Sequence, residues 1–266
     1  MQRHRRVGAL YRYPVKGFAA EECEALSVLD GGRIAGDRVL GFRFASSAVA
    51  GDAWGTKHEF VALVNTPGLA RLGLEFDHET PRLRISLQGR VLVDEALDDA
   101  GRRRIASAIG EYVLALEQNP LSSHPDRLPL RVVGDGVTPR FQDAEAGYVT
   151  LHGRRSLAAV AAAAGAPDLS EHRFRSNIAL DGLEAWEEQE WLGRSVQIGE
   201  VSFQAASAKS RCLATHANPL TGKRDLPIMQ TLLGVFLREK PTFAIAMTIT
   251  GRGGTIRVGD EVRLGD

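Results

Sequence analysis

Cys212 stands in the run Lys209-Ser210-Arg211-Cys212, with His216 four residues on, so cationic side chains surround a free thiol. Positive neighbours favour the thiolate, the form that ligates soft metals or carries sulfur. A free cysteine is also commonly a small buried hydrophobe, and from the residues alone both readings stay open. Donors for an anion occur elsewhere. Lys16 in Tyr13-Pro14-Val15-Lys16-Gly17 follows a strand and a proline turn, and Arg38 in Gly36-Asp37-Arg38 opens the next strand. Either cation could meet a phosphate at a barrel mouth; the plainer alternative is a solvated lysine and a surface Arg-Asp pair. Arg173-Phe174-Arg175-Ser176-Asn177 offers two guanidinium groups and an amide to a charged, planar ligand, and is equally a polar strand entry.

Other chemistries find little support. Gly31-Gly32-Arg33-Ile34-Ala35-Gly36 and Gly251-Arg252-Gly253-Gly254 lack both the lysine spacing and the following helix of a phosphate loop, and read as turns. No Gly-x-Ser-x-Gly elbow occurs, and the seven histidines are scattered without a close pair to clasp a metal. With only two cysteines, Cys23 and Cys212, neither a disulfide framework nor a cysteine zinc site is supported. Trp186 and Trp191 read as core packing.

The elements that must position these residues are mostly short strands. Residues 7–13, 39–44, 61–64, 83–87 and 91–93 are apolar or alternating and separated by turn residues, which predicts strands. Ile105, Ile109, Val113 and Leu116 space a helix over 102–116. Residues 117–129, with Pro120, Pro125 and Pro129, read as a linker, placing a domain boundary near residue 120. Beyond it, strands are expected at 148–151, 177–180, 196–198, 201–204, 243–249, 256–258 and 262–264. Helices are expected at 156–164, capped by Ser156, and at 229–237. Without regular strand–helix alternation, a Rossmann or TIM-type sheet is disfavoured and a mixed, β-barrel-like α+β architecture fits better.

A chain of 266 residues can bury roughly 70 to 75% of its unfolded surface, enough for a packed core. Its 33 basic and 33 acidic residues cancel, so no global field draws it to nucleic acid or an anionic membrane, and an anionic ligand needs a local cluster. The longest apolar run, 157–164, is far too short to span a bilayer, and a cytoplasmic protein is expected.

Taken together, the segments 11–17, 36–38, 174–178, 181–183, 191–193, Ser210-Arg211-Cys212 with 218–222, and 254–260 resemble the MOSC family, named for the C-terminal domain of molybdenum-cofactor sulfurase, together with its N-terminal β-barrel partner domain. The resemblance covers nearly the whole chain and implies an N-terminal β-rich domain over 1–118 and a MOSC β-barrel over 119–266. It also implies a molybdenum–molybdopterin cofactor. Cys212 falls where relatives ligate molybdenum, and Lys16, Arg38, Arg175, Asn177 and Ser210 fall where they contact the pterin and its phosphate. Ser156 and its neighbour His152 are placed at the same pocket. The nearest functional likeness is to the amidoxime-reducing component and its bacterial relatives, which reduce N-hydroxylated compounds. The expected partners are therefore a small-molecule substrate and a separate electron-donor protein, without nucleic acid or membrane. Sulfur carriage on a Cys212 persulfide and a non-enzymatic cofactor-binding module are the alternatives. The sequence departs from the family pattern at Gly17, where several relatives have serine, and at His152, where a smaller polar residue is expected.

Overall fold

The computed structural model describes residues 4–265. The N-terminal part contributes β1 (Arg6–Arg12), β2 (Glu21–Cys23), β3 (Ala25–Val28) and β4 (Gly41–Arg43), then β5 (Leu72–Asp77), β6 (Arg82–Leu87), β7 (Arg90–Ala96) and helix α1 (Asp99–Leu114). There follow β8 (Arg131–Val133), β9 (Val149–Gly153), α2 (Arg154–Ala163), β10 (Ile178–Asp181), β11 (Ser195–Ile198), β12 (Val201–Ser210), α3 (Ile228–Gly234), β13 (Thr242–Ile249), β14 (Gly254–Arg257) and β15 (Val262–Leu264). The fold is α+β and mainly β, as expected.

The largest sheet is ordered β15-β11-β12-β13-β9-β10-β1-β2. It bends back on itself: Val7 N–H donates to Asp260 O at 2.9 Å, Gly259 N–H to Val7 O at 2.8 Å and Val262 N–H to Arg5 O at 2.9 Å. The start of β1 thus bonds to the chain entering β15, and the wall closes in the manner of a barrel, which satisfies edge groups that would otherwise face water. Period-two alternation decides what fills it. Val149 and Leu151 of β9 and Ile178 and Leu180 of β10 point into a core with Trp191, Phe203 and Met247. Thr150 and His152 consequently face the outer side of the wall.

A second core lies under the antiparallel β5-β6-β7 meander. Leu72, Leu74 and Phe76 are buried while Gly73, Glu75 and Asp77 are exposed, and α1 covers this face with Ile105, Ile109 and Val113, one per turn. The helix starts where the Asp98 carboxylate accepts the Gly101 N–H at 2.7 Å.

Strand pairing runs across residue 118/119: β1 and β2 belong to the barrel wall, β3 pairs with β14 and β4 with β8. The apolar face of β1, Val7 and Leu10, completes the barrel core. Residues 61–64 form a turn rather than a strand, because the Asn65 side chain accepts from Ala62 N–H and donates to Phe60 O, each at 2.9 Å, offering the backbone a local alternative. Ser156 does not cap α2, whose N-cap is Gly153. Among the described residues no helix is long and apolar enough to cross a membrane.

Candidate functional site

A pocket of about 930 Å³, including its open mouth, lies between the outer wall at β9 and the turn at 62–64. Thr150 lines it because alternation turns that residue away from the barrel core. Lys16, Arg38, Arg175, Asn177, Ser210 and Cys212 all line it as well. They arrive from the turn after β1, the entry to β4, the approach to β10 and the end of β12. The cations expected at a barrel mouth thus meet on its outer wall instead.

Seven lysine and arginine side chains line the pocket against a single carboxylate, Asp143. Lys16 is buried, and its ammonium donates to Phe141 O and to Asp143 Oδ1, each at 2.9 Å. Burial pushes its pKa down, with Asp143 opposing. Arg38 pairs with Asp37, whose carboxylate also accepts from Tyr13 N–H at 2.9 Å and the Asn177 amide at 3.4 Å. The Arg38 and Arg175 guanidinium carbons lie 4.7 and 4.3 Å from the centroid of the Tyr13 ring. Burial and the neighbouring Arg38 charge bring Arg175 down to about 10. Both arginines have left-handed backbones, φ 51° at Arg38 and 53° at Arg175, a conformation that costs on the order of 1–3 kcal/mol and clusters at ligand sites. Two strained residues thus hold like charges together where an anion would neutralise them.

Cys212 is a half-buried free thiol. Its carbonyl accepts from Thr215 N–H at 3.0 Å and Thr215 Oγ1 at 2.9 Å, which fixes the loop behind it. Arg211 turns back to donate to Phe243 O at 2.8 Å and Phe174 O at 2.7 Å, and burial lowers it to about 10. The Lys209 ammonium lies 5.4 Å from the Tyr148 ring centroid and has no hydrogen-bond partner among the described residues. Its pKa is lowered by burial and by Arg211, Arg38 and Lys16, with Asp143 opposing. Entry of an anion would relieve these costs.

Not every expected residue serves the pocket directly. Ser156 is fully buried away from it: its hydroxyl donates to Glu188 Oε2 at 2.8 Å and accepts the Trp186 N–H at 2.7 Å. His152 is buried behind Phe243, its ring 5.4 Å away, and bonds Glu171 at 3.1 Å. Asn177 lines the pocket, yet its amide is committed to Thr150, Tyr11 and Asp37, so it positions Arg38 through Asp37. His216 does not add charge beside Cys212: its Nε2 accepts from Met229 N–H at 3.2 Å, and burial lowers its pKa. Arg173 and Arg175, adjacent in the sequence pattern, separate in role. Arg173 ties the Cys212 loop down through His216 O at 2.9 Å and Asp225 at 2.7 Å. Asp143, Tyr148 and Thr150 were missed; only Thr150 carried a signal, as the polar member of an alternating strand.

The glycine after Lys16 has a local cause. Gly17 has φ +82°, and a Cβ there would sit 2.8 Å from Ala62 Cα, so a serine does not fit this backbone. Gly17→Ser is expected to cost about 2–3 kcal/mol through strain and overpacking, read as a lowered urea midpoint.

Glu171 tests the support behind the wall. Burial would raise its pKa, but hydrogen bonds from His152, Arg154 and Tyr11 outweigh it and hold the carboxyl well below the usual range. Its stabilisation is therefore present above the unfolded pKa near ~4.3 and lost as the pH falls below it. Glu171→Gln is expected to destabilise by about 2 kcal/mol at neutral pH. The gap to wild type should narrow in urea titrations as the pH is lowered below about 4, where the unfolded carboxyl gains its proton while the native one still resists it.

Residues 139–263 match the family model of the MOSC domain. The chain is also similar in structure to the YUAD protein from Bacillus subtilis, with 11% identity and a TM-score of 0.43 over 98% of this chain and 94% of that one. YiiM from Geobacillus stearothermophilus is similar over 44% of this chain and 54% of its own, with 16% identity and a TM-score of 0.34.

Proposed function

From a chain whose residues 139–263 are a MOSC domain, we propose a molybdenum-cofactor-dependent oxidoreductase that reduces N-hydroxylated or N-oxide compounds with electrons from a separate donor protein. The observation that carries this reading is the convergence of the half-buried Cys212 thiol with seven cationic side chains on one pocket.

The residues fit a molybdopterin-type group on chemical grounds. A thiolate is a soft donor suited to molybdenum, and lysine and arginine suit a phosphate. Buried polar atoms among the lining residues also await partners: Gln142 Oε1 and Arg173 Nε have none among the described residues. When bound, the cofactor supplies the two-electron redox chemistry. The chain's own residues do the rest. Cys212 is the protein's metal ligand, Lys16, Arg38 and Arg175 hold the phosphate, and Lys209 and Arg211 keep the thiol environment positive. In balance, an N–OH group takes two electrons and two protons to give N–H and water.

A second reading uses the same thiol as a persulfide that delivers sulfur, favoured by the exposure that Cys212 retains beside its cations. Metal analysis of protein from a molybdopterin-competent host separates the two. Near-stoichiometric molybdenum with reduction of a model amidoxime by artificial donors supports the oxidoreductase. Metal-free protein that labels as a persulfide at Cys212 rejects it, and bound cofactor without turnover points to a non-enzymatic module.

A further inference from the structure

The cations of the Cys212 pocket are not equally matched. Lys16, Arg38 and Arg173 each meet a carboxylate, of Asp143, Asp37 and Asp225 respectively. Lys57, Arg175, Lys209 and Arg211 line the same pocket without an ion pair among the described residues. A phosphate monoester brings about −1.5 to −2 charges, and the ionised Cys212 thiol brings one more. Arg175, beside Arg38, is placed for the phosphate, and Arg211 feels the charge of Cys212. Lys57 and Lys209 are therefore left over once the phosphate and the thiolate have been matched.

Lys209 and its neighbour Tyr148 supply two donors that the protein does not use itself. The Lys209 ammonium lies 5.4 Å from the Tyr148 ring centroid, and both half-buried residues line the pocket. Neither that ammonium nor the Tyr148 hydroxyl has a hydrogen-bond partner among the described residues. A freely solvated lysine would keep its ordinary pKa, whereas burial and the charges of Arg211, Arg38 and Lys16 hold that of Lys209 down, with Asp143 opposing. An anion accepting from the ammonium and the hydroxyl would gain charge-assisted hydrogen bonds and offset that repulsion.

We propose that Lys209 and Tyr148 form a second anion subsite, separate from the phosphate site of Lys16, Arg38 and Arg175, and that it holds a carboxylate or phosphate carried by the substrate. The inference rests on the reductase reading above and adds to it a substrate class: N-hydroxylated compounds that bear an anionic group, over neutral ones. The same chemistry suits a second phosphate on a nucleotide form of the pterin, and the test separates the two sources.

In the molybdenum-loaded protein, kcat/KM for 4-carboxybenzamidoxime is expected to exceed that for neutral benzamidoxime, and calorimetric affinities should follow the same order. Lys209→Gln should lower the ratio of the two about 10- to 100-fold, the weight of one charge-assisted bond. Tyr148→Phe should lower it about fivefold, and Lys209→Arg should largely restore it. Equal binding of the two compounds by wild-type protein, or a ratio unchanged in Lys209→Gln, overturns the subsite. Mass spectrometry of the released cofactor supplies the other arm. A pterin dinucleotide that Lys209→Gln retains at least about tenfold less well assigns the anion to the cofactor and overturns the substrate class. Lys209-dependent preference for the carboxylated compound in binding, without turnover of either, retains the subsite and rejects the reductase reading.

Discussion

Cys212→Ala protein from a molybdopterin-competent host is expected to retain less than about a tenth of the wild-type molybdenum and to reduce no amidoxime, because removing a metal ligand is a loss that neighbouring groups do not replace. The melting temperature should stay within about 2 °C of wild type, since a substitution at a partly exposed site usually costs no more than about 0.5 kcal/mol. The loop is held by the Cys212 carbonyl and Arg173, which the substitution leaves in place. Cys212→Ser keeps the shape and tests the softness of the donor. Serine should fail as alanine does, since a hydroxyl is a harder ligand and stays protonated at neutral pH. Molybdenum analysis beside thermal unfolding checks both variants, and normal metal content in either would remove Cys212 from the metal's coordination.

Arg175→Met is expected to separate binding from stability. In the ligand-free protein the Arg175 charge is opposed by burial and by Arg38, which is why its pKa falls to about 10. A cation whose folded pKa is lowered weighs against the fold at every pH where it is charged, so at neutral pH its removal relieves a cost. That relief offsets the lost hydrogen bond to Phe18 O, and the ligand-free melting temperature should not fall. Cofactor retention should drop about 10- to 100-fold, the loss that goes with one charge-assisted bond of about 1.5–3 kcal/mol. A parallel loss of stability and cofactor would make Arg175 a structural residue instead. This trade of folded-state repulsion for ligand binding is common where a site is built for a charge it does not itself contain.

How much of this was legible depended on the kind of signal. Alternation in β9 and β10 was readable because side chains on a strand point to opposite faces wherever the strand ends up. The spacing of Ile105, Ile109 and Val113 announced α1 for the same reason. Lys16, Arg38, Arg175, Ser210 and Cys212 could be picked by residue type and resemblance, and the structure brings all of them to one pocket. Turn chemistry was harder to see: the strand expected at 61–64 gave way to bonds from the Asn65 side chain.

Polar residues were less legible still, since their roles depend on partners that spacing does not reveal. Ser156 looked like a helix cap and a pocket residue, yet Glu188, 32 residues on, takes its hydrogen bond. His216 looked like a cation beside Cys212 until the Met229 N–H occupied its ring nitrogen. Asn177 reads by type as a ligand contact; it lines the pocket, and its amide also braces Asp37, 140 residues away.

The sequence by itself determined which faces are apolar, which segments can be strands, and that a thiol and a set of cations were available. Only the tertiary structure decided that β1 joins the C-terminal wall, that Lys16 and Arg38 meet Cys212 on the outside of that wall, and which polar groups are free to bind. The physical reason is that periodic burial is a local property of the chain. Pairing of buried polar groups must instead be satisfied wherever folding brings segments together, and here those segments lie as far apart as Tyr11 and Asn177, or Lys16 and Asp143.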